Sequence, residues 1–231
     1  MKKALLFSWS IIVLCSCASQ KFFTSGVAPV EITEMVKIEP FSFISLIEKG
    51  NDGVYNDSIS AIAQIALNKS LETLREKLRL SPEAIYVTDS LDRATLLQEI
   101  DFLIYSAERI KKKTKQNIGI TPLIDSLLSA HDKRFGLFII HNGFTRTKGN
   151  YGGQVAKAIG MGIATGLLTG MAYYQTPIKS GSTINVVIVD NKEKNVAFYN
   201  KSIVQDREPT EKNTITQQLD VLFKKYFWEN Q

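Results

Sequence analysis

Two histidines, a few spaced carboxylates and one glycine run are the residues of this chain whose types could do chemistry. His141 closes an apolar run, "RFGLFIIHNGF", next to Asn142-Gly143. The end of a strand is a common place for a general base. A base needs a nucleophile within reach and an acid to orient it, yet no serine sits in an elbow motif and no carboxylate stands at a telling spacing. His131 falls at the end of a helical stretch, where a partial positive charge is favourable, and reads as a helix-end residue. Two separated histidines without cysteines make a poor zinc site. Asp89/Asp92 and Asp52/Asp57 are spaced as glycosidase carboxylates could be, but they fit helix caps and loop positions more simply. Asp52-Gly53 and Asn56-Asp57 lack the calcium-loop spacing and its final Glu. No metal and no cofactor is expected.

The glycine run is "QVAKAIGMGIATGLLTGMAYY", from Gln154 to Tyr174. "GMGIATG" is neither G-x-G-x-x-G nor a P-loop, since no Gly-Lys-Ser/Thr follows. Gly162, Gly166 and Gly170 recur every four residues, so one helical face could take self-association or membrane contact. Against a true span stand Lys157 and the reliance on Gly, Ala and Thr. The plainest reading is a small-residue helix, or a glycine-rich excursion, packed closely on the sheet. "RIKKKTK" places Arg109, Lys111, Lys112, Lys113 and Lys115 at a helix end. They suit the helix dipole there, and contact with an anionic surface is the functional alternative.

The start of the chain is the most specific stretch. Lys2 and Lys3 precede an apolar run from Ala4 to Leu14, broken by Ser8 and Ser10 and too short to span a bilayer, which needs about 20 apolar residues. That is the layout of a secretory signal peptide. "LCSC", Leu14 to Cys17, resembles the lipobox of bacterial lipoproteins. The resemblance implies cleavage before Cys17 and acylation of Cys17, leaving residues 1–16 as signal peptide. Ala18 and Ser19 follow, and by resemblance to enteric sorting a non-acidic residue there favours the outer membrane. Residues 17–34, with Gly26, Pro29 and no sustained period, read as a lipidated tether. Both cysteines fall in this region, so the folded part has no disulfide, thiolate metal site or cysteine nucleophile. The formal net charge of +5 is modest, and with export it argues against nucleic acid.

The elements that must position any site come next. "VKIEPFSFISLIE" alternates Phe41 and Phe43 with Ser42 and Ile44, as a strand does, with Pro40 at an edge or bend. Apolar residues at helical spacing predict helices from Asp57 to about Leu80, from about Asp92 to Lys115, and from Thr121 with Pro122 at its first position. "TINVVIVD" and "VAFYNKSIV", five residues apart, predict a β-hairpin. A last helix carries Leu219, Leu222, Phe223, Tyr226 and Phe227. The expectation is one α/β or α+β domain over 35–231. It has a small, mostly antiparallel sheet with flanking helices, a helical insertion over about 57–131, and a strand, hairpin and helix region over about 135–228.

From Phe135 to Phe227 the pattern weakly resembles uncharacterised envelope lipoproteins. More distantly it resembles the α/β domain of the curli-secretion lipoprotein and of lipoprotein activators of cell-wall synthases. The resemblance implies an envelope protein, anchored by lipid to the outer membrane on an unspecified face. The expected function is a non-enzymatic interaction or assembly module with an envelope protein partner or a second copy of itself. An oligomeric accessory or pore component of a secretion or transport system is the alternative, and an envelope hydrolase the lesser one.

Overall fold

The computed structural model describes residues 22–110, 117–169 and 177–229. Strands are β1 (Phe23–Thr24), β2 (Met35–Ile38), β3 (Phe41–Ile47), β4 (Val54–Tyr55), β5 (Leu80–Ile85), β6 (Phe135–Arg146), β7 (Ser180–Asp190) and β8 (Asn195–Gln205). Helices are α1 (Asp57–Thr73), α2 (Ser90–Arg109), α3 (Pro122–Ala130), α4 (Lys148–Thr169) and α5 (Lys212–Phe223). Local signals set the helix starts. Asn56 caps α1 by accepting the Ile59 N–H at 3.0 Å, and Asp89 caps α2 by accepting those of Leu91 and Asp92. Pro122 opens α3, whose free N–H groups at Leu123 and Ile124 are met by Glu99 of α2.

The sheet runs in the order β1-β8-β7-β6-β2-β5, with β3 also alongside β6 and β4 outside β3. Its eight strands overturn the small, mostly antiparallel sheet expected. The class is α/β, but the sheet is mixed. β6, β7 and β8 form an antiparallel meander, whereas β2 pairs in parallel with both β5 and β6, and β3 in parallel with β6. Parallel neighbours need a crossover of about a dozen residues or more. The helical stretch over 57–131 is that crossover, carrying the chain from β3 to β6, and it also contributes β5. β2 and β3 are two stretches of one line along β6, interrupted at Pro40, which has no N–H for a ladder.

Both faces are covered, which is why β7 reads as a continuous apolar run. On one face Leu67 and Leu71 of α1 and Ile215, Leu219 and Phe223 of α5 pack on Leu137, Ile139, Val186 and Phe198. On the other, Leu96, Ile100 and Leu103 of α2 and Ile124 and Leu128 of α3 pack on Phe138, Ile140, Val187 and Val189.

Of the tether expected over 17–34, the described part is not free. From Phe22 the chain belongs to the domain. β1 pairs with β8, the Phe22 ring sits 5.7 Å from that of Phe198, and the Tyr226 hydroxyl donates to the Val27 carbonyl at 2.6 Å. Arg79 donates to the carbonyls of Pro29 and Ile32, and Ile32 is fully buried. Aromatic anchors in a segment without a period hold it down.

Candidate functional site

The structure uses the predicted polar residues mostly for architecture. His131 is the C-terminal cap of α3, Asp89 caps α2 with Asp92 in its first turn, and Asp57 opens α1. Among the described residues no three His, Cys, Asp or Glu side chains gather as a metal site. Arg109 ends α2 with its guanidinium 5.1 Å over the Tyr105 ring and hydrogen-bonded to that hydroxyl. Lys111, Lys112, Lys113 and Lys115 lie outside the described residues, as do Cys17 and Gly170. Gly162 and Gly166 fall within α4.

His141 is fully buried in β6. Its Nε2 lies 2.9 Å from Ser182 Oγ, which donates its proton to Gln218 Oε1 at 2.7 Å. Ser182 therefore accepts from His141, so Nε2 carries the ring proton, and Nδ1 finds no partner among the described residues. Burial pushes the pKa down to about 4. The ring is thus neutral, closed to solvent and not placed to act as a base. The sign of its effect on stability follows. Between about 6.5 and 4 the unfolded chain binds a proton here that the folded chain refuses, so stability falls as pH falls through that window. At pH 4 the loss from this group reaches about 3 kcal/mol, at about 1.4 kcal/mol per pKa unit. Urea midpoints from pH 7 to 4 check it: His141→Gln should lose less stability across the window than the parent does.

A cleft beside β3 brings together residues that no motif marks. On the outer edge of β3, the Ile44 N–H donates to Ser60 Oγ at 2.9 Å and its carbonyl accepts the Asn56 N–H at 2.9 Å. Further back, Gln64 Nε2 donates to the Pro40 carbonyl. Ser42 lies between these points, and strand alternation turns its N–H and C=O the same way as those of Ile44. Ser42 is 8% exposed, and its Oγ has no partner among the described residues. Phe41 and Phe43 stack with centroids 6.3 Å apart, and Tyr55 lies 6.1 Å from Phe43. Arg93 of α2 sits 4.8 Å over Phe41 and pairs with Glu39. Ser60 and Gln64 of α1 and Ser90 and Leu97 of α2 complete the walls of a cleft of about 430 Å³.

That volume falls within the usual range for ligand sites, about 300–1,000 Å³. Three aromatic rings, the Arg93–Glu39 pair, the Asp57 carboxylate and several hydroxyls can bind, orient and select. The alternation of Phe41 and Phe43 with Ser42, and Pro40 as an edge marker, are visible in the sequence. Tyr55 and Arg93 join them only through the packing of α1 and α2.

No family model and no curated protein matches the chain. Among solved structures, two of PelC from Paraburkholderia phytofirmans are similar, both described as dodecamers and one a single-substitution variant. The variant has a TM-score of 0.37 at 8% identity, covering 90% of this chain and 96% of that one. The other has a TM-score of 0.36 at 8% identity, with the same coverage of 90% and 96%. A likeness this remote bears on neither family, assembly nor activity.

Proposed function

We propose that this protein is a lipid-anchored, non-enzymatic interaction module of the bacterial cell envelope, attached through acylated Cys17 and facing its partner with the cleft beside β3. The observation that carries the reading is Ser42: a buried, unpartnered hydroxyl between the two points where α1 meets the edge of β3, flanked by an aromatic shelf. An extended segment of an envelope protein fits that chemistry. Its backbone can pair with the edge at Ser42, as in strand addition, while an apolar side chain lies on Phe43 and Tyr55. Arg93 and Glu39 lie at one end of the shelf to meet polar groups of the segment.

A photo-crosslinking side chain at position 55, compared with one at the exposed Val221 of α5, tests this in intact cells. A discrete adduct at 55, absent at 221 and lost on Phe43→Ala, is the expected result. Equal labelling at both positions removes the cleft from the reading. Mass spectrometry of the mature N-terminus tests the anchor separately. An unmodified Cys17 makes this an exported protein without a lipid. A second reading, an oligomeric accessory or pore component of a secretion or transport system, draws support from α4, where a Cβ at Gly149, Gly152 or Gly153 would meet nothing within 4 Å. A strictly monomeric mature protein in detergent removes it.

A further inference from the structure

We infer that the segment received by the cleft beside β3 carries a basic side chain, lysine or arginine, where it lies on Phe43 and Tyr55, with the cationic end at Asp57. This names the chemistry of the partner and rests on the reading of the cleft as a strand-addition site.

The walls of the cleft hold three charged side chains, Glu39, Asp57 and Arg93, two negative and one positive. Glu39 and Arg93 satisfy each other, and the Arg93 guanidinium lies 4.8 Å over the Phe41 ring. Ring, cation and carboxylate make a complete set there, all supplied by this chain. The neighbouring set has rings and a carboxylate but no cation of its own. Phe43 stacks on Phe41 with 7° between the planes, and Tyr55 is tilted 50° from Phe43. The two rings form a corner, and Tyr55 is 52% exposed. Asp57 stands two residues beyond Tyr55, at the start of α1, and lines the same cleft. It has no ion-pair or hydrogen-bond partner among the described residues. A carboxylate suits the first turn of a helix, but that place needs no ion-pair partner. The cleft therefore keeps one uncompensated negative charge beside two open rings.

Aromatic faces attract cations, and lysine and arginine lay apolar stems along such surfaces while their charged ends reach outward. One basic side chain meets both demands. Its stem gives Phe43 and Tyr55 their apolar contact, and its tip gives Asp57 the partner that Glu39 finds in Arg93. An acidic side chain would add a third negative charge. A purely apolar one would crowd water from Asp57 without pairing it. Ser42 does not decide among them, because its hydroxyl and backbone meet the main chain of the segment.

The test uses the full mature protein in detergent, with para-fluorophenylalanine at position 43 reporting binding through its fluorine resonance. The probes are three capped pentapeptides of alternating valine and threonine, identical except for lysine, norleucine or glutamate at the centre. The lysine peptide should bind about 3–10-fold more tightly than the norleucine peptide, from one exposed cation–π contact and one exposed ion pair, and the glutamate peptide most weakly. Added salt should narrow the gap between lysine and norleucine. Asp57→Asn should narrow it too, and Asp57→Glu should keep it; both leave the Asn56 cap of α1 in place. Equal binding of the lysine and norleucine peptides overturns the inference and leaves the strand-addition reading standing. So does a preference for glutamate, or a lysine preference that Asp57→Asn leaves unchanged. No shift with any of the three peptides overturns the strand-addition reading, and the inference with it.

Discussion

Arg134→Met lowers the stability of this protein by about 1–3 kcal/mol, less than the roughly 3–5 kcal/mol lost when one partner of a fully buried ion pair is removed, because Arg134 is 36% exposed. Asp190, at the end of β7, is fully buried and receives both Arg134 Nε at 3.1 Å and Nη2 at 2.9 Å. Its Oδ1 also accepts the N–H groups of Lys192 and Glu193, which places the carboxylate under the β7–β8 turn. Those two amides also soften the loss but do not neutralise the charge. Methionine keeps an apolar stem against Phe135, over whose ring the guanidinium now lies at 4.6 Å. The measurement is a urea midpoint that moves down with an unchanged slope, the sign of a folded-state effect. A loss below about 1 kcal/mol, the worth of an exposed pair, would show that water reaches Asp190.

Phe198→Ala costs more, about 3–5 kcal/mol, because a buried ring leaves a cavity that its neighbours cannot fill. Phe198 is fully buried at the centre of an aromatic cluster, 4.6 Å from Tyr226, 6.0 Å from Phe223 and 5.7 Å from Phe22. Two parts of the molecule depend on it: the seating of the last helical turns on the sheet, and the docking of the segment that begins at Phe22. The variant should therefore lose stability and also expose the stretch between Phe22 and Met35 to limited proteolysis. Phe22→Ala should expose that stretch with a smaller loss of stability, since Phe22 is only half-buried. Equal protection of the stretch in Phe198→Ala and the parent would mean that β1 pairing and the Tyr226 hydroxyl suffice to hold it.

The cleft divides between what was legible and what was not. The phase of β3 follows from sequence, because side chains alternate along any strand; Ser42 and Ile44 must share one face and Phe41 and Phe43 the other. That Ser42 sits on an unpaired edge does not follow. It depends on where β5 ends and β4 begins, and on Ser60 and Gln64 of α1 meeting the backbone on either side. His141 shows the same division. Its place in an apolar run is plain in "FIIHNG", but β6 continues past it to Arg146, its neutrality comes from burial, and Gln218 of α5, far along the chain, sets where its proton sits through Ser182.

By itself the sequence determined what short-range physics decides: the cap at Asp89 and the proline start of α3 at Pro122, the β7–β8 hairpin around "NKEKN", and the apolar faces of the helices. Those features depend on residues within a turn or two, and hydrogen bonding and periodicity report them directly. Only the tertiary structure decided that β2 and β3 run parallel to β6, that the helical region is a crossover rather than an insertion, and that Phe22 onward is docked rather than free. Periodicity tells which face of an element is buried but not which way its neighbour runs. Strand direction and the docking of a segment without a period depend on whether distant surfaces fit closely enough to offset the entropy of ordering the chain between them.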